Sequence, residues 1–364
     1  MGMKDGGMTA TREQVLRYRV HAQQLDRAPA TADDADVLDL GVQDTGPDGA
    51  LWALANRGVE ARWDDLVILW TLRGAPHAYR RADVAQVAAA VAPMSSDDAA
   101  KRILDASKPL RAAGIDPAVA LDTVGSTMRD IASSPIVKGA LSTAVTERTT
   151  EPFHRWCRPC GATHLSEMVF RLGATTGGLE LEPDTSPPVL RRIPRWRGPA
   201  GRVRPALRPI RGTLHLLGPS TRKEVTEFLD AASTDVTAAW PSDAVDVEVD
   251  GRATSLLEAD LDALSDPPRD AVTRLLGPYD LFLQGRDRSL LVPDAARRKA
   301  LWPVLGRPGA ILHGHEIAGT WRPRTKGRRL ALEVRLWDDV PDAAIDEQGE
   351  RLAAFRGVTY AGRT

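Results

Sequence analysis

At 364 residues, 43% of them hydrophobic, the chain is long enough for two or three domains with real cores. Its 48 basic and 49 acidic residues nearly cancel, which excludes a binder held to nucleic acid by bulk charge alone. No apolar run approaches membrane-spanning length, the opening MGMKDGGMTATREQ lacks the apolar stretch of a secretory signal, and two cysteines cannot staple a protein of this size; the expectation is a cytoplasmic protein with reduced thiols and no membrane partner.

Residues 1–30 read as a leading segment with one helix. Over 31–116 the pattern is a helix from Asp33 to Leu40, a turn, a helix from Pro47 to Asn56, a third helix beginning near Trp63, and then the strand-like LWTLRGAPHAYRR. Three short helices and a hairpin are the order of a winged helix. The order recurs over 117–212: apolar residues Val119, Leu121 and Val124, then Ile136, Ala140, Leu141 and Val145 at helical spacing, then a helix from Thr163 to Leu172 closed by Gly173. GLELEPDTSPPVLRRI alternates about a Pro-rich turn and serves as the wing. A third copy spans 213–270, where Thr221 and Glu224 predict a capping box and Asp250-Gly251 predicts a type I′ hairpin within VDVEVDGRATSLL. Over 271–364 the runs YDLFLQGRDRSLLV and GAILHGHEIAGTWRPRTKGRRLALEVRLW read as strands, and LAAFRGVTYAG as a closing helix and tail. The sequence therefore predicts an α+β fold: three tandem winged-helix units followed by a small antiparallel β-barrel or sheet.

Charge is distributed unevenly. No acidic residue lies between Asp184 and Glu224, a stretch with ten basic ones that include Arg191, Arg192, Arg195 and Arg197. A second cluster holds Arg322, Arg324, Lys326, Arg328 and Arg329. One such cluster is ordinary solvated surface, whereas two on hairpin-like segments point to a phosphate-binding face.

Both cysteines lie in HRWCRPCGATH, residues 154–164. Redox exchange requires a buried apolar strand feeding the Cys-x-x-Cys, and the preceding TERTTEPFHR supplies none. His154, Cys157, Cys160 and His164 are the right ligand types for zinc, but all four come from eleven residues without a second knuckle. The leading expectation is that the cysteines pack behind the helix that follows and hold no metal.

The order of parts, with several local strings, resembles the winged-helix DNA glycosylases of the YcaQ/AlkZ type. The strings are GVQDTGPDGALWAL (41–54), TLRGAPH (71–77), RWCRPCGATHLSEMVFRL (155–172), YDLFLQGRDRS (279–289) and HGHEIAGTWRPR (313–324). The resemblance implies tandem winged helices around a channel for double-stranded DNA, a β-barrel after them, and excision of N-alkylated or crosslinked purines by a monomer without metal or nucleotide cofactor. The family's motif of Gln, an apolar residue, then Gln or Asp falls on Gly41, Val42 and Gln43. It makes Gln43 the catalytic residue that positions a water, with glycine where the first polar side chain is expected. Gly41, Asp44, Arg73 and His77 become candidates for the channel wall, and the two basic clusters for DNA contacts. The glycine also raises the alternative of a DNA-binding or regulatory protein that has lost the chemistry.

Overall fold

The computed structural model describes residues 8–26, 31–46, 48–159, 161–269 and 272–364, an α+β chain with several separate sheets. Its central sheet has six antiparallel strands in the order Val42–Gln43, Pro76–Arg80, Leu66–Trp70, Leu179–Leu181, Val189–Arg192 and Ile136–Val137. The two hairpins that the sequence predicts around residues 69–81 and 178–193 are thus joined in one sheet, with Ile68 opposite Leu181.

The run Leu66–Trp70 is buried at every position because both of its faces are covered. Val67 and Leu69 pack with Tyr79, Val87, Ile193 and Leu207, while Ile68 and Trp70 pack beneath the helices Pro117–Ile131 and Glu167–Thr176. Those two helices lie in near backbone contact: a Cβ at Gly125 would come within 2.6 Å of the Gly173 carbonyl oxygen. Asp116 starts the first of them by accepting from the Ala118 and Val119 amides at 2.8 and 3.2 Å.

Further along, the helices Pro209–Leu217, Arg222–Leu229 and Ser233–Ala238 precede the hairpin Ala244–Val249 and Arg252–Leu257. The capping box is present: Glu224 N–H donates to the Thr221 hydroxyl at 3.1 Å, and Thr221 N–H donates back to the Glu224 carboxylate at 2.9 Å. Asp250 and Gly251 both take positive φ, 47° and 79°, as the tight turn demands. The strand Met8–Ala10 adds to this hairpin in parallel.

A five-stranded sheet closes the chain in the order Thr273–Leu276, Gly309–His313, Glu316–Lys326, Arg329–Leu336 and Thr359–Arg363. Trp52 and Asn56, on and just after the helix Gly49–Ala55, both donate to the Leu275 carbonyl, at 2.7 and 3.0 Å, and Trp52 joins the core under this sheet. Among the described residues no helix is long and apolar enough to cross a membrane.

Four expectations need correction. Residues 63–65 form a turn, not a helix, since the apolar run after Asp65 is short and enters the sheet directly. The helix expected at Thr163 starts at Glu167, and Ala162–Leu165 pairs instead with His154–Cys157. YDLFLQGRDRSLLV is not a strand: Asp280 accepts the Phe282 amide and caps the 3₁₀ turn Leu281–Leu283, and the helix Arg288–Leu291 follows. The closing sheet is not purely antiparallel, because the tail after the helix Asp342–Phe355 becomes a fifth strand parallel to Arg329–Leu336.

Candidate functional site

Gln43 lies opposite His77 in the sheet, and Val42 opposite Ala78. On the next strand Leu69 faces His77 and Val67 faces Tyr79. Directly opposed residues share a face, so Gln43, His77 and Tyr79 are on one side of the sheet and Val42, Ala78 and Ile68 on the other. On the first side the Gln43 amide nitrogen donates to the Thr45 hydroxyl at 3.0 Å, leaving the amide oxygen Oε1 to accept. Thr45 lies two residues beyond the end of this strand, and the hydrogen bond brings the two side chains together.

Behind the pair is a buried polar cluster. The Thr71 hydroxyl lies 3.1 Å from His77 Nδ1 and 2.8 Å from the Tyr79 hydroxyl. His77 Nδ1 is also 3.0 Å from the Ala75 carbonyl oxygen, which only accepts, so Nδ1 carries the proton and Nε2 is the acceptor nitrogen. Burial, and then the charge of Arg73, push the His77 pKa down to about 3, which keeps the imidazole neutral at physiological pH. Arg73 sits in the turn Leu72–Gly74 at φ 57°, donates to the Phe228 carbonyl and to Gln284 Oε1 (2.6 Å), and lies 4.8 Å over the Phe228 ring.

Gly41 is held by its backbone and by a neighbouring ring. Its φ is +92°, and a Cβ there would meet the Tyr79 ring at 2.4 Å. The backbone geometry requires glycine, and the second polar side chain beside Gln43 is Thr45, which sequence matching passed over. Accordingly, Gly41→Gln is expected to destabilise the fold by about 3 kcal/mol or more through backbone strain and overpacking. A denaturant melt checks this; a stable variant with raised activity would restore Gly41 as a catalytic position.

Asp44 points to the opposite side. Its carboxylate accepts the Ala50 amide at 3.0 Å and raises no wall beside Gln43. Instead it lines a cleft of about 730 Å³ with Trp63, Trp70, Asp184 and Phe355. Burial raises the Asp44 pKa, the Ala50 hydrogen bond opposes that, and the charge of Asp184 adds to it. Of the channel candidates, then, Arg73 and His77 gather on the Gln43 side, Asp44 faces away and Gly41 contributes backbone only.

Much of the expected DNA-binding charge is engaged internally. Arg191 donates to Glu180 at 3.1 Å, Arg192 to the Arg129 carbonyl at the end of a helix (2.9 Å), Arg322 to the Gly306 carbonyl (2.5 Å), Arg324 to Glu333, and Arg328 to the Gly357 carbonyl (3.1 Å). Arg195, Arg197, Lys326 and Arg329 are exposed and make no salt bridge among the described residues.

The cysteine segment is a hairpin, not a packing element behind a helix. Cys157 lies opposite Ala162 and Arg155 opposite His164, which places Cys157 and His164 on one face and His154 on the other, where its Nε2 is 2.9 Å from the Thr149 hydroxyl. His164 Nδ1 is 2.8 Å from the Leu165 carbonyl oxygen; that contact first, and Cys157 next, raise its pKa. Cys160 falls outside the described residues, among which no three His, Cys, Asp or Glu side chains group to hold a metal.

The same fold is found in a solved DNA glycosylase. Streptomyces sahachiroi DNA glycosylase AlkZ superposes on 98% of this chain and 100% of its own with a TM-score of 0.73, at 18% sequence identity. The sequence model described as DNA glycosylase AlkZ-like matches residues 37–355, so the chain belongs to the AlkZ-like DNA glycosylase family. No curated protein sequence matches it.

Proposed function

We propose that the protein is a monofunctional DNA glycosylase that hydrolyses the N-glycosidic bond of N-alkylated or crosslinked purines in double-stranded DNA. The observation that carries this reading is the Gln43–Thr45 pair, an amide and a hydroxyl 3.0 Å apart on the side of the sheet that also gathers Arg73 and His77. A purine alkylated at N7 is cationic and departs neutral, taking the electron pair of the C1′–N9 bond. The protein has only to place a water at C1′ and favour the developing sugar cation. Gln43 Oε1 accepts a hydrogen bond from one O–H of that water and the Thr45 oxygen from the other, fixing its lone pair on the sugar carbon; as the C1′–O bond forms the water's surplus proton passes to solvent, and neither residue need ionise. The chemistry asks for no metal or nucleotide.

The elements over 31–116, 117–212 and 213–270 are read as three winged-helix units whose hairpins border the DNA, with a monomer acting in the cytoplasm. Of the residues in the two basic clusters, Arg195, Arg197, Lys326 and Arg329 have no salt bridge among the described residues to give up before meeting phosphates. The alternative is a DNA-binding or regulatory protein without chemistry; that the glycine at 41 has a conformational and steric reason, its positive φ and the Tyr79 ring, supports the enzymatic reading over it.

Incubation with a duplex carrying 7-methylguanine is expected to release free base and leave an abasic site without cutting the strand. Duplex binding with no base released overturns the enzymatic reading.

A further inference from the structure

A group of four arginines unmatched by carboxylates lies between the turn Leu72–Gly74 and residues 280–307. The segment from Asp280 to Arg288 is fixed at both ends by buried ion pairs: Arg57 grips Asp280 through two contacts of 2.9 Å, and Arg19 holds Asp287 at 2.5 Å. With Asp287 pinned to Arg19 in the interior, its neighbours Arg286 and Arg288 are only half-buried and reach no carboxylate. Arg288 lies 5.0 Å over the Trp302 ring and Arg307 5.2 Å over Tyr279, so ring faces hold these two guanidiniums. Gln284, which accepts from Arg73, donates to the Tyr279 carbonyl at 2.6 Å and ties the turn to the same group.

None of Arg73, Arg286, Arg288 and Arg307 forms a salt bridge among the described residues. The nearby carboxylates are already engaged, Asp230 with Lys101 at 3.1 Å and Glu227 with Lys223 at 3.9 Å. Arg286 Nε is buried without a hydrogen-bond partner. Burial lowers the pKa of Arg73, Arg286 and Arg288, and neighbouring arginine charges add to this at Arg73 and Arg288; at Arg286 the charges of Glu227 and Asp230, each larger in effect than that of Arg307, oppose it, as Asp230 and Tyr79 do at Arg73. Like charges gathered this way disfavour the empty protein, and an anion supplied from outside relieves them.

We infer that Arg286, Arg288 and Arg307 bind phosphodiester groups of the DNA strand carrying the target nucleotide, with Arg73 as a positioning residue between them and His77, the strand neighbour of Gln43. The inference rests on the proposed glycosylase reading and gives it a phosphate contact that neither basic hairpin supplies. Planar guanidiniums suit phosphate oxygens, and three of them on two segments suit a backbone that runs past, not one small ion.

The test uses the full chain and a fluorescent duplex with a tetrahydrofuran abasic analogue, titrated over a range of salt concentrations. Arg286→Gln with Arg288→Gln is expected to weaken binding about tenfold or more and to lower the salt slope by about one per lost phosphate contact, while the two Lys variants keep the slope. A second measurement needs no mutant: neutral methylphosphonates beside the abasic nucleotide weaken the wild type and add nothing to the Gln variant. Unchanged affinity and slope in a folded Gln variant overturn the site. So does a methylphosphonate penalty of equal size in both proteins, or a site that responds only to inorganic phosphate as raised melting temperature. Base release with affinity unmoved by the variants rejects the site and spares the glycosylase reading; the binding changes without any base release reject that reading and spare the site.

Discussion

Gln43→Ala is expected to lower the single-turnover rate of base release about a hundredfold or more while duplex affinity stays within a few-fold. Gln43 is half-buried at the edge of the sheet, so truncation opens no core cavity and the backbone keeps its pairing with His77. On the proposed mechanism the group lost is the amide oxygen that orients water, an interaction of use only as the sugar becomes cationic, and such losses fall on the rate and spare binding. Thr45→Ala removes the second acceptor and the hydrogen bond that fixes the Gln43 amide, and is expected to cost about tenfold, less than Gln43→Ala. Rates are read from free base released under enzyme excess. A Gln43→Ala enzyme with undiminished release removes Gln43 from the mechanism.

Asp280→Ala is expected to destabilise the protein by about 3 to 5 kcal/mol, the largest effect of any single change away from the site. Asp280 takes both nitrogens of Arg57, and the two side chains are 0% and 1% exposed. Without it, Arg57 stays charged in the interior, still bonded to the Gln23 and Ala53 carbonyls but with no counter-charge. The pair also joins the end of the helix Gly49–Ala55 to the segment bearing Arg286 and Arg288, so the loss is expected to loosen both. Asp338→Ala, which breaks the exposed pair with Arg297, should leave the unfolding midpoint nearly unchanged. Denaturant unfolding followed by tryptophan fluorescence compares the two; equal midpoints for Asp280→Ala and wild type would contradict the part assigned to the buried pair.

Local signals in the chain were reliable where one residue type has one structural use. Thr221 with Glu224 and Asp250 with Gly251 are such cases, and both devices are present. The α+β class and the closing sheet were legible for the same reason, as period-two runs between turns. What could not be read was how distant pieces meet. YDLFLQGRDRSLLV has the composition of a strand, but its two aspartates are claimed by Arg57 and Arg19, more than two hundred residues earlier. Charge runs are opaque in a related way, since a guanidinium adjacent to another in sequence can spend its hydrogen bonds on a helix end, as Arg192 does. The proposed water-positioning pair was within reach. Gln43 and Thr45 keep the spacing of two that the Gln-x-Gln/Asp motif has; placing the motif two residues earlier passed over Thr45 and put weight on Gly41, a position whose backbone and contact with the Tyr79 ring call for glycine.

On the proposed function the side of the sheet bearing Gln43 and Thr45 meets the DNA, and the opposite side, with Asp44 and its tryptophan-lined cleft, does not. A crystal structure with a duplex containing a cationic azaribose nucleotide, a mimic of the sugar at the point of bond cleavage, tests it directly. The account predicts the azaribose ring beside Gln43 Oε1 and the Thr45 hydroxyl, close enough for one shared water, with backbone phosphates on Arg286 and Arg288. A ring seated instead between Asp44 and Trp63, with Gln43 turned away from the nucleic acid, would contradict it.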